Sequence, residues 1–158
     1  MRKRLVIPAA IAVLVASAPL AVMAASGGAG GAVDRQRFGF FRGVITTRST
    51  TFHNVRGANT GLICARGPLS AAVSVTTSGA AFALLVRVDD GPVLHPGAVR
   101  FSGGGIDSTS YTWVGGVGPF EANDHHSFAL QWKSATGSPV TMRKAVIDVF
   151  YKKGHAAC

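Results

Sequence analysis

Apolar side chains return at every second position through most of this chain, and that period limits what it can fold into. In VSVTT the repeat sets Val73, Val75 and Thr77 on one face. In FALLVRV it sets Phe82, Leu84, Val86 and Val88 against Ala83, Leu85 and Arg87. SFALQW groups Phe128, Leu130 and Trp132, and AVIDVFY groups Ala145, Ile147, Val149 and Tyr151 while turning Asp148 away. A period of two with β-branched and aromatic residues is the mark of a strand buried on one side. FFRGVIT, GLICAR, AVRFSG and STSYTWVG add four weaker runs, about eight strands altogether. Turn formers separate them, among them VDDGPV, HPGAV, FSGGGIDS and SATGSPV. No helical stripe of useful length follows the first 25 residues. The fold class expected is all-β, an antiparallel β-sandwich of jelly-roll type.

The N-terminus sets the compartment. Arg2, Lys3 and Arg4 precede an uncharged apolar run, which ends in small residues at Ala24 and Ala25. That order is a secretory signal peptide, with cleavage expected after Ala24 or Ala25. Removing residues 1–25 leaves 133 of the 158 residues, enough for one domain. The organisation expected is a signal peptide over 1–25, a flexible glycine-rich leader over 26–34, and one β-sandwich domain over 35–158. No second apolar stretch in the mature chain is long enough for a transmembrane anchor, so the product is expected to be secreted or at the cell surface.

Two consequences follow from export. Cys64 and Cys158 are the only cysteines, and an even pair in an oxidising compartment reads as a disulfide. The mature chain keeps 13 basic residues against seven acidic ones, a charge of +6. Residues 26–66 hold Arg35, Arg37, Arg42, Arg48, Arg56 and Arg66 against Asp34 alone. Such a surface suits anionic cell-wall or surface polymers as partners.

Within that segment Arg35, Arg37, Arg42 and Arg48 alternate with Phe38, Phe40, Phe41 and Phe52. The simpler reading is an early strand whose rings enter the core while the guanidinium groups stay solvated. The functional reading is an anionic-ligand patch in which exposed rings and arginines act together.

NDHHSFALQW carries the other candidate chemistry, with Asp124, His125 and His126 in succession. Neighbouring strand residues point to opposite faces, so two adjacent histidines do not readily share one metal ion. In phase with Phe128, His126 faces inward and His125 outward. A secreted hydrolase or metal protein would centre on these three, with His95 as a further member. H-x-H, H-E-x-x-H, C-x-x-C and G-x-S-x-G are all absent from the sequence. No catalytic set, metal or cofactor is therefore assigned. Asp89–Asp90–Gly91 reads as a hairpin turn.

The strand sequence PLSAAVSV, LVRVDDGPVLHPGAVRFSG, STSYTWVG and HHSFALQWKSATGSPVTMRKAVIDVFY resembles secreted and phage-borne bacterial domains similar to the C1q/TNF jelly roll. The resemblance covers Pro68 to Tyr151 and implies a jelly-roll sandwich that assembles as a homo-oligomer, commonly a trimer. The chain has no Gly-X-Y stalk and no assignable calcium loop. The functional expectation is a non-catalytic interaction module, with a structural homo-oligomer subunit as another reading.

Overall fold

A computed structural model describes residues 35–117 and 125–154. The signal peptide and leader assignments, Asp124 and Cys158 lie outside the described residues. The described regular elements are strands: β1 (Arg35–Thr47), β2 (His53–Gly79), β3 (Phe82–Val88), β4 (Val99–Phe101), β5 (Gly104–Val117), β6 (His125–Ser134) and β7 (Val140–Lys153). Among the described residues no helix is long and apolar enough to cross a membrane.

Among the described residues there are seven strands rather than eight, because two of the expected runs are one element. GLICAR and VSVTT both belong to β2, which continues for 27 residues. Gly61 and Gly67, at φ of +62° and +68°, take up left-handed backbone inside it. Register shifts flank both places, between Asn59 and Leu62 and between Arg66 and Leu69. Such bulges bend a strand without ending it.

β2 consequently serves two sections of antiparallel ladder. Its first part, His53 to Cys64, pairs with β6, which continues through β3 to β4. Its second part lies between β7 and β5, and β1 extends that section on the far side of β7. The strand order is β1-β7-β2-β6-β3-β4, with β5 on β2.

The apolar rows of both sections meet in one core. Leu69, Ala71, Val73, Val75, Ile147 and Val149 come from one; Phe82, Leu84, Val86, Phe128, Leu130 and Trp132 come from the other. A fully buried residue of this size contributes roughly 1.5–3 kcal/mol by leaving water. Trp113, also in the core, satisfies its indole by donating Nε1–H to the Gly97 carbonyl at 2.7 Å. The alternation expected for β3 is incomplete, since Ala83 and Leu85 on its other face are buried as well.

The β3 hairpin forms as its residues dictate. Asp89 and Asp90 have φ of 48° and 56°, and Gly91 N–H donates to the Val88 carbonyl at 2.8 Å. Two consecutive left-handed residues are the requirement of a type I′ turn, which Asp tolerates better than most residues.

Candidate functional site

The ladder between β3 and β6 sets Val88 opposite Phe128, so the next residue of the turn, Asp89, meets Ser127. Asp89 N–H donates to the Ser127 carbonyl at 3.0 Å. In return Asp89 Oδ1 accepts from Ser127 N–H at 2.5 Å and from Ser127 Oγ at 3.1 Å. Its other oxygen, Oδ2, lies 2.6 Å from His126 Nδ1. Burial works to raise the Asp89 pKa, but the Ser127 backbone bond, the His126 and Ser127 side-chain bonds and the attraction to His126 outweigh it. The carboxyl is held below its ordinary value of 3.8.

This cluster contains the residue types of a hydrolytic triad in the wrong order of contact. A triad needs the serine hydroxyl on one imidazole nitrogen and the carboxylate on the other. Here the carboxylate stands between the two, and Ser127 Oγ bonds to Asp89. His126 Nδ1 donates to Asp89, whose carboxylate can only accept. The ring's Nε2 is buried and has no hydrogen-bond partner among the described residues, so it faces no solvent-borne substrate. The arrangement fastens the β3 hairpin to the start of β6 and activates no nucleophile.

Of the grouping Asp124, His125 and His126 expected from the sequence, Asp124 lies outside the described residues. His126 is largely buried and His125 exposed, as the strand phase requires, but the partner of His126 is the turn residue Asp89. His95 stands elsewhere, its backbone exchanging hydrogen bonds with Val114 of β5. Among the described residues no three His, Cys, Asp or Glu side chains come together as a metal-binding group. Asp89 was legible only as turn chemistry, because its contact depends on which strand β3 chooses to pair with.

The arginine segment becomes β1, which stands at one end of the strand order. Its register on β7 sets Arg35, Arg37, Gly39 and Phe41 opposite Tyr151, Val149, Ile147 and Ala145, all core residues. Cross-strand partners share a face. The inward positions are thus taken by two arginines, a glycine and one ring, while Phe38 and Phe40 lie outward at 67 % and 46 % exposure. The simpler sequence reading, with the rings inside, holds only for Phe41, which packs against the core. Gly39 explains the choice: a Cβ there would stand 2.1 Å from the Asn59 carbonyl oxygen, so no ring fits at that inward position.

Arg35, Arg37, Arg42 and Arg48 are all exposed. They do not share one face, since Arg42 lies opposite Lys144 on the outer side whereas Arg37 reaches inward to the Thr60 carbonyl at 3.4 Å. What they share is the length of one strand and the turn beyond it. β1 itself contains no acidic residue.

Among the described residues no cysteine is free. Cys64 sits at the point where β2 passes from β6 to β7, and its carbonyl accepts Gly154 N–H at 3.2 Å.

Comparison with known proteins adds little. No family model matches the chain, and no curated protein does. A solved structure of a family two carbohydrate esterase from Cellvibrio japonicus is similar at 10 % identity over 77 % of this chain, with a TM-score of 0.21. The chain spans 37 % of that protein. A likeness at that score carries no argument about fold or chemistry.

Proposed function

We propose that this chain is an exported, non-catalytic interaction protein of the extracellular space or cell surface, and that β1 grips an anionic cell-wall or surface polymer. One observation carries the reading: an acid-free edge strand carries three exposed arginines interleaved with two exposed phenylalanines, and Arg48 follows directly. Thirteen residues of extended chain cover about 43 Å, so a linear polyanion laid along the strand meets these charges in succession. Each exposed contact is weak and screened by salt. Several on one chain act together through effective concentration.

The layered core is of the jelly-roll kind that the C1q/TNF-like resemblance implies, and the chain is exported by its first 25 residues. Cys64 and Cys158 form a disulfide. The bond from Gly154 to Cys64 supports it, because it anchors the C-terminal segment at Cys64 only four residues before Cys158.

Retention on immobilised heparin tests the partner class. The protein is expected to bind, to elute as salt rises, and to lose most retention when Arg35, Arg37, Arg42 and Arg48 are changed to Ala together. A control in which Arg56, Arg100, Arg143 and Lys152 are changed to Ala removes the same charge elsewhere. Equal loss in both variants would reduce the strand to mere net charge and end the proposal.

A further inference from the structure

The inward rows of β2 and β5 change character at one end. On β2, Leu69, Ala71, Val73 and Val75 are apolar and buried, and the next inward residue is Thr77. On β5 the row runs Val117, Gly115, Trp113 and Tyr111, then turns to Thr109 opposite Val75 and Asp107 opposite Thr77. Three polar side chains thus occupy positions on the face that elsewhere packs the core. An open groove of about 470 Å³ lies there, lined by these three residues, by Phe101 and Ile106, and by the glycine run 103–105.

We propose that this groove binds a neutral carbohydrate. Charge narrows the ligand class first. Among the described residues the lining holds one carboxylate and no lysine, arginine or histidine, in a chain whose formal charge is +9. Nothing in the groove compensates an anion, and Asp107 repels one. Hydrogen bonding narrows it further. Asp107 Oδ1 accepts Ser108 N–H at 2.7 Å, which orients the carboxyl and leaves Oδ2 for a ligand hydroxyl. Thr77 and Thr109 carry hydroxyls that can donate or accept, as a polyhydroxylated partner needs.

The apolar lining suits the C–H faces of a sugar ring. Phe101 stacks on the buried Phe82 at 5.2 Å with 19° between the planes, so that wall is held from behind. Ile106 is 68 % exposed at the rim. A few placed polar groups beside apolar walls is the usual constitution of a small-molecule site.

The rim has the same logic. A Cβ on Gly103 would stand 2.3 Å from the Gly79 carbonyl oxygen, so two turns meet there backbone to backbone. Added Cβ atoms at Gly104 and Gly105 meet nothing within 4 Å. The side of each glycine where a side chain would stand is therefore open beside the groove, and a ligand can approach closely there.

The test is backbone amide NMR on the full-length mature protein, with cellohexaose, mannohexaose and chitohexaose each added at millimolar concentration. At least one should produce saturable shifts at Gly103, Gly104, Gly105 and Thr109. Asp107→Ala should weaken that binding about tenfold or more, through loss of a charge-assisted hydrogen bond. Gly105→Val, which fills open space, should obstruct it while leaving the thermal midpoint unchanged. The variant lacking the four β1 arginines should bind the sugar normally, which separates this site from the polymer strand. Absence of shifts with all three sugars overturns the proposal, and so does spermine or heparin moving these amides in their place.

Discussion

Replacing Asp89 by Asn tests whether the carboxylate is the clasp between the β3 turn and β6. Asn is the right probe because it tolerates the left-handed backbone that Asp89 adopts at φ 48°. It can still accept both Ser127 bonds through its one oxygen, now without charge. Toward His126 it presents an NH2, and Nδ1 can receive that donor only by moving its own proton to Nε2. That atom is buried with no hydrogen-bond partner among the described residues, so the change leaves a stranded donor there.

Charge-assisted bonds contribute roughly 1.5–3 kcal/mol against 0.5–1.5 for neutral ones, and a stranded buried donor costs about 1–3. Asp89 is 38 % exposed, which holds the sum toward the low end. A loss of about 1–3 kcal/mol at neutral pH is expected.

The acid limb gives a second reading of the same contact. Because folding lowers the Asp89 pKa, its stabilisation is full above the ordinary value of 3.8 and disappears as pH falls through the lower folded value. The Asn variant lacks that component and should lose less stability on acidification. Urea unfolding followed by the fluorescence of Trp113 and Trp132, both buried, measures each quantity. If the variant matches the parent at neutral pH and their acid limbs superimpose, the clasp is not holding the hairpin.

Two further predictions concern the frame. Gly39→Ala forces a methyl group against the Asn59 backbone and is expected to cost about 1–3 kcal/mol or more, read from the shift in urea midpoint. An unchanged midpoint would show that β1 does not press on β2 as described. For the disulfide, intact mass of the exported protein should rise by two hydrogens on reduction. Changing both cysteines to Ser should cost roughly 4–5 kcal/mol for a loop with 93 intervening residues. Two free thiols in the exported protein would end that proposal.

The alternation of Phe82, Leu84, Val86, Phe128, Leu130, Trp132, Ile147 and Val149 was enough to declare strands and name most of the core. A period of two leaves side chains of one face no other place to go. The Asp89–Asp90–Gly91 turn was equally local, since it depends on backbone preference alone. Pairing is a different matter. Which strand lies beside which is chosen by loop closure and packing across the whole chain. That choice joined GLICAR to VSVTT in β2, turned Phe38 and Phe40 outward by setting Gly39 against Asn59, and gave His126 a partner 37 residues away. Residue identities determined which faces had to be buried, because transfer from water depends on the side chain itself. Only the tertiary structure decided what each polar group at the margins would meet, because those contacts depend on register between segments distant in sequence.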